Sequence, residues 1–457
     1  MMNFLIDKSQ LHIQIDELLR DSSIDLLRRN SIVKVPSHLL QKCADKKVYE
    51  PQIISIGPYH HGKDHLKAME EYKIHCLRML LERREEKSVQ QYVEELKRNE
   101  ARTREYYAKS INIDKDAFVK MMLLDGCFIV ELIRKWKIKE LRDENYRFLT
   151  PFILRRVMHD LLLVENQLPF FILLNLFNMT VMPSDQGESF ISMAITFISE
   201  MELVLGNRIY SFPCQEDTKH LLGLLHSSWF PSQERNTMAA ANSPARTPAS
   251  SLHACLIEVR FVTGINDPDL RSGRKSWQFI PSATQLQDAG IQFRKTEERD
   301  TRLFAINFDK GIMWIPLLVI NGDTESLLRN LVAYEQSYNV ISSKLVTDYI
   351  TCMDCLINSK DDVELLCHRK IIENRLGDHL VVADMFNRLR NSLLISKDEF
   401  YYTEMFMEVN EHYKEPWNWW KANLRQNYFN TPWALISFLA AVFLLVLTVI
   451  QTVYSVI

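Results

Sequence analysis

Apolar residues recur at three- and four-residue spacing over most of the chain, the period of an amphipathic helix. From Asp64 onward, Leu66, Met69, Cys76, Leu77 and Leu80 fall on one stripe and predict a long helix. Ala117–Trp136 and Phe152–Phe177 are apolar almost all round, which places them in the interior of a helix bundle. The helical period continues in Ser189–Leu205 and His220–His226, and returns in Thr324–Tyr338, Leu345–Asn358, Asp361–Asn374 and His379–Asn391. A shorter helix is expected around Ile13–Leu27, followed by an extended Ile32–Val35 that stops at Pro36.

Three stretches break the pattern. Tyr49–Gly62 carries Pro51, Gly57, Pro58 and Gly62, which exclude a continuous helix and leave loop or strand. Glu82–Lys109 mixes both charge signs and reads as a solvated helix face. Pro231–Ser251 has no aromatic, Leu, Ile or Val and reads as a flexible loop. Beyond it, Leu303–Phe308 alternates in polarity, Asp309-Lys310-Gly311 offers a turn and Ile312–Ile315 returns, a hairpin pattern. The expected fold is therefore mainly α, a bundle-like helical domain with a small β element around residues 255–320. The expected organisation is a helical part over 1–230, the loop 231–251, a second part over 252–425 and a terminal segment 426–457.

That terminal segment has its own character. No charged residue follows Arg425, and Trp433–Ile450 is interrupted only by Ser437 and Thr448. Eighteen helical residues rise about 27 Å, near the roughly 30 Å hydrocarbon core of a bilayer. The segment thus predicts one C-terminal transmembrane helix, with the bilayer as partner over 433–453. Trp417, Trp419, Trp420, Tyr428 and Trp433 suit an interfacial aromatic belt. The N-terminus lacks the basic and apolar regions of a signal peptide, and Lys414, Lys421 and Arg425 precede the span. The expectation is a single-pass anchor with the large domain in the cytosol, the outward orientation staying open.

Composition narrows the chemistry. Lys and Arg number 55 against 58 Asp and Glu, so no basic excess draws the chain to nucleic acid. Only 12 of 457 residues are glycine, few for an enzyme whose backbone must approach phosphate. No P-loop, G-x-G-x-x-G, G-x-S-x-G or H-E-x-x-H occurs. The eight cysteines are scattered, unlike a disulfide scaffold. His60-His61 with His65 are metal candidates without a Cys or carboxylate partner at standard zinc spacing. Cys352-x-x-Cys355 with Cys367-His368 is a second set, but Tyr349–Asn358 reads as helix, where i and i+3 simply share a face and core packing is favoured. Asp125, Glu131 and Glu165 sit in apolar runs that would raise their pKa values and suit acid–base work. The competing reading is that such groups tie down helix ends, above all at Glu165-Asn166-Gln167 before Pro169. No catalytic, metal or cofactor-binding residue is assigned, and no cofactor is expected.

The order of several blocks is specific. Ile54-Ser55-Ile56-Gly57-Pro58-Tyr59-His60-His61-Gly62, followed by Glu70 and Lys73, is succeeded by Met122-Leu123-Leu124-Asp125-Gly126-Cys127-Phe128. Then come Asp160 through Phe171, containing Glu165, Asn166, Gln167 and Pro169, and later Arg329-Asn330-Leu331-Val332-Ala333-Tyr334-Glu335. In these blocks the chain resembles the plant family known as domain of unknown function 247. The resemblance implies a terminal membrane helix, no established activity or cofactor, and motif residues without assigned roles. Some grass members are associated with self-incompatibility. The expected function is a membrane-tethered, non-enzymatic recognition or signalling module with a protein partner. The alternative is a membrane-bound enzyme using Glu165 or His60 and His61.

Overall fold

The structure is a computed structural model. It describes residues 32–43, 45–142, 146, 148–185, 187–200, 218–229, 277–296, 303–337, 344–391, 393–395, 399–415 and 432–456. The expected helix at Ile13–Leu27, the loop Pro231–Ser251 and the aromatic residues 417–428 lie outside them. Its helices are α1 (Ser37–Lys42), α2 (Ala68–Arg83), α3 (Gln90–Arg98), α4 (Glu100–Arg104), α5 (Lys115–Lys137), α6 (Pro151–Leu161), α7 (Phe170–Met179), α8 (Phe190–Glu200), α9 (Leu221–Ser228), α10 (Ala283–Asp288), α11 (Thr324–Ser337), α12 (Leu345–Leu356), α13 (Lys360–His368), α14 (His379–Arg390), α15 (Thr403–Lys414) and α16 (Pro432–Val456). Five short strands accompany them: β1 (Gln292–Lys295), β2 (Asn307–Asp309), β3 (Ile312–Ile315), β4 (Leu318–Ile320) and β5 (Ile372–Asn374).

The described residues fall into two compact units, one within Met1–Ser243 and Gly322–Val346, the other within Pro244–Asn321 and Thr347–Ile457. In the first unit, α5 is central. Every described residue from Phe118 to Lys135 except Lys120 is buried, as an all-round apolar helix requires, and α2, α3, α7 and α8 pack on it. Asp114 starts α5 by accepting the Ala117 N–H, and Gly126 lets α7 approach: a Cβ there would stand 2.4 Å from Leu176 Cδ1. The run Phe152–Phe177 is not one helix. Residues 162–169 separate α6 from α7, because Pro169 has no N–H to continue the ladder.

In the second unit, β3 is the middle strand of a three-stranded sheet, parallel to β1 and antiparallel to β2. Asp309 pairs with Ile312, so Lys310 and Gly311 form the hairpin loop, with φ of 48° and 79°. That two-residue, left-handed loop matches strand twist. Residues 303–306 are not strand. The pairing β4–β5 is parallel and takes Ile372–Asn374 out of the helix expected over 361–374: α13 ends at His368, and Lys370 turns the chain with a φ of 60°.

Among the described residues, no helix is long and apolar enough to cross a membrane. Helix α16 carries the C-terminal apolar run, and the side chains described on it, 436–452, end in the polar Gln451 and Thr452. The transmembrane helix expected over 433–453 is therefore not supported. The single-pass anchor and the cytosolic orientation drawn from it fall with it.

Candidate functional site

The motif residues converge on a segment with no regular structure. Residues 51–57 run through the first unit, and Pro51, Ile54, Ser55, Ile56 and Gly57 are buried. A buried chain without a ladder partner must find a side chain for each polar backbone group. Asp160, at the end of α6, accepts from the N–H of Gln52, Ile53 and Ile54 at 3.0, 2.7 and 3.0 Å. Asn166 accepts the Ile56 N–H at 2.7 Å and donates to the carbonyls of Ile54 and Asp160. Asp125, on α5, accepts the Gly57 N–H at 2.8 Å, and Lys73, on α2, donates to the Ser55 carbonyl at 2.6 Å.

Lys73 also reaches Asp125 Oδ1 and Glu70 Oε1, each at 2.6 Å, with Lys73 wholly buried and Glu70 30% exposed. Burial works against the ammonium, but the two carboxylates outweigh it and hold the Lys73 pKa above its ordinary value. The lysine is thus a charged anchor and not a free amine nucleophile. Gly57 is left-handed at φ 72°, and a Cβ on it would stand 2.6 Å from the Gln167 carbonyl oxygen. Gln167 donates to the carbonyls of Leu161 and Leu163 and accepts the Leu222 N–H, so it closes the buried C-terminal end of α6. Pro169 then opens α7 with its fixed φ of −55°.

The far side of the same loop holds Pro58, Tyr59, His60 and His61. Tyr59 donates to the Ile32 carbonyl at 3.0 Å, and burial pushes its hydroxyl pKa up to about 12. His60 is buried, with Nε2 3.5 Å from Glu165 Oε2; burial first, then Lys63 and Lys34, press its pKa down to about 3. Glu165 accepts the Val35 N–H at 2.7 Å, and burial raises its pKa. His61 is exposed, beside the Gly62 turn at φ 83°.

Asn330 and Glu335, both on α11, serve neighbouring segments. Asn330 accepts the Val164 N–H at 2.9 Å and donates to the Val48 carbonyl. Glu335 meets His226 Nε2 and accepts the Val346 N–H, both at 2.8 Å. Three residues that the sequence left without a role complete the network. His159 lies between Asp160 Oδ1, at 3.2 Å, and Ser326 Oγ, at 2.9 Å. The order Ser–His–Asp is that of a hydrolase triad, but Ser326 donates its proton to the Val48 carbonyl at 2.6 Å. The adjoining cavity, lined by His159, Leu163, Asp323, Ser326 and Asn330, measures about 10 Å³, the space of one water. Asp160 had a visible signal, a carboxylate inside an apolar run; His159 and Ser326 had none.

Glu131 lies elsewhere, paired with Arg83 and Arg134, whose guanidinium also holds Asp185. Cys352 is buried on α12, and among the described residues no group of three His, Cys, Asp or Glu side chains is placed to hold a metal ion.

The fold and site thus define a mainly helical protein in which a buried loop is held by side-chain-to-backbone hydrogen bonds. A family model described as plant protein of unknown function, domain of unknown function 247, matches residues 32–447, and the chain belongs to that family. It is 31% identical to the UPF0481 protein At3g47200 of Arabidopsis thaliana over 429 residues, 92% of this chain and 85% of the relative. It is 24% identical to the putative UPF0481 protein At3g02645 of the same plant over 480 residues, 92% and 89% of the two chains. No solved structure matches it. These comparisons carry no activity, partner or role in self-incompatibility to the chain.

Proposed function

We propose that this plant protein is a non-enzymatic recognition module that binds a protein partner. One observation supports this reading most directly. Asp125, Asp160, Glu165, Asn166, Gln167 and Asn330 are all engaged with backbone groups of their own chain, the pattern of side chains that hold a structure together. An interior held in this way is a rigid frame, and partner choice then rests on the outside. The outer face of α3 suits that role. Tyr92 and Leu96 point inward, while Gln91, Glu94, Lys97 and Arg98 are exposed. Lys97–Asp116 and Arg98–Glu95 are surface pairs whose attraction water and salt screen, so they can change without loss of the fold.

The test is cross-linking of the full-length chain in plant tissue, wild type against K97E/R98E. The expected result is a reproducible protein partner whose yield falls at least about tenfold in the variant, at unchanged Tm. The reading is overturned if the partner is retained at full yield. It is also overturned if no protein is captured while a co-purifying small molecule raises the Tm.

A further inference from the structure

The turn that leads into α6 leaves a threonine on the outside of the first unit. In Phe148-Leu149-Thr150-Pro151-Phe152, Leu149 is buried and ties the segment down, while the other four residues are exposed. Phe148 is 50% exposed and stacks on Tyr72 at 5.3 Å. Phe152 is 67% exposed, with the Arg156 guanidinium 5.5 Å from its ring. Thr150 itself is extended, with φ −53° and ψ 158°, because a residue before proline is kept out of the helical region. Its hydroxyl accepts the Ile153 N–H at 3.3 Å, and among the described residues nothing accepts its proton.

A threonine that is exposed, extended and followed by proline has the form that proline-directed protein kinases take as substrate. Pro151 offers such an enzyme a residue of fixed φ with no N–H to satisfy. Phe148 and Phe152 stand two residues to either side, where aromatic side chains supply most contact energy to an approaching protein. We infer that Thr150 is a phosphorylation site for a proline-directed protein kinase, with ATP as the phosphoryl donor. Thr150 Oγ1 attacks the γ-phosphorus and its proton passes to the base of the kinase. The bond from that phosphorus to the β-phosphate oxygen breaks, and ADP leaves.

The position decides what the phosphate does. Thr150 caps α6, whose other end carries His159 and Asp160 against the motif loop. A phosphate there brings a charge of about −1.5 to −2 and three acceptor oxygens to the positive end of the helix. The long contact to the Ile153 N–H becomes a charge-assisted one, and the first turn tightens. On the outside, an acidic group then stands between two exposed phenylalanines, which changes what this edge of the unit can contact.

The test incubates the folded full-length chain with a purified mitogen-activated protein kinase and radiolabelled ATP. Ser243, Thr247 and Thr431 also precede proline and are replaced first, as S243A/T247A/T431A, so that Thr150 is the one such acceptor left. This chain should take up about one phosphate, found by peptide mapping on Thr150. Adding T150A should abolish the label, and adding P151A, which a helix start tolerates, should slow labelling at least about tenfold. Hydrogen–deuterium exchange of the phosphorylated chain should show the Ile153 amide slowed at least about tenfold, with Phe128 in α5 unchanged. Label no higher than in the T150A chain, or label mapped away from Thr150, overturns the site. Equal labelling of P151A overturns the kinase class, and unchanged exchange at Ile153 overturns the effect on α6. Should T150A fail to fold, the peptide map of its parent decides the matter.

Discussion

The two compact units hold their irregular chain segments by different chemistry. In the first, the loop 51–57 is held by named atoms: Asp160 accepts three consecutive N–H groups, Asp125 one more, and Lys73 donates to a carbonyl. In the second, an aromatic cluster joins the irregular residues around Trp277 and Phe400, beside single anchors from Asp348 to the Tyr401 N–H at 2.8 Å and from Asn410 to the Gln278 carbonyl at 2.9 Å. Trp277 stacks on Phe400 at 4.4 Å and meets Phe406 edge-on at 5.6 Å, while Tyr402 and Phe304 close the cluster with one hydrogen bond of 2.9 Å. Hydrogen bonds to buried backbone are directional and fail abruptly when one partner is removed. Aromatic packing is adaptable and fails in proportion to the volume lost.

The largest expected effect breaks the first unit. D125A leaves Lys73 buried opposite only the half-exposed Glu70 and orphans the Gly57 N–H, and should cost about 3–5 kcal/mol in denaturant unfolding. K73M/D125N removes the charges together and keeps an acceptor for Gly57, so it should recover most of that loss. If it does not, packing and not charge is what the site supplies.

W277A in the second unit should cost about 3–4 kcal/mol, and W277F should recover a large part of it, since a smaller ring still fills the stack against Phe400. No substitution of a charged residue should rescue it. If W277F is as damaging as W277A, the aromatic cluster is as exacting as the polar one, and the contrast between the units fails.

The motif glycines sharpen the point on a finer scale. G57A combines a left-handed φ of 72° with a Cβ placed 2.6 Å from the Gln167 backbone oxygen, and should cost about 2–3 kcal/mol. G62A, at φ 83° with nothing within 4 Å, should cost only the strain of the conformation, about 1 kcal/mol. Equal losses in thermal unfolding would mean that backbone strain alone sets the motif's glycines.

The smallest effect concerns Asp362, which joins two helix starts in the second unit. It accepts from Thr284 N–H at 2.8 Å and from Ser359 N–H and Oγ at 3.0 and 2.9 Å. Burial pushes its pKa up, but the hydrogen bonds from Thr284, Ser282 and Ser359 outweigh it and set the pKa below the ordinary 3.8. Its contribution is therefore present above that value and is lost as pH falls through the lowered folded pKa. D362N should cost about 1 kcal/mol at neutral pH and should remove this part of the acid sensitivity. An unchanged acid limb in the variant would place that sensitivity elsewhere.

Much of the helical framework is legible in the residues themselves. The run Ala117–Trp136 is apolar almost all round and becomes the buried α5; Asp309-Lys310-Gly311 carries the hairpin loop and the loop forms there. Membership of the family is equally legible, because several long blocks stand in order. Where periodicity misleads, the reason is local. Ile371 and Ile372 continue the helical period past α13, but Lys370 takes a left-handed φ of 60° and turns the chain toward β5, which begins at Ile372. The C-terminal run looks like a span by composition, yet among the described residues no helix of sufficient length and apolarity is found.

Helix period, turn chemistry and the breaks at Gly57, Pro58 and Pro169 are properties of a few neighbouring residues, so they can be read along the chain. The roles of Lys73, Asp125, Asp160 and Asn166 cannot. Their partners in residues 52–57 stand from 18 to 112 residues away, and which backbone group each one meets depends on how α2, α5 and α6 pack. A carboxylate in an apolar run announces that it needs a partner; only the folded chain decides that the partner is the backbone of residues 52–57.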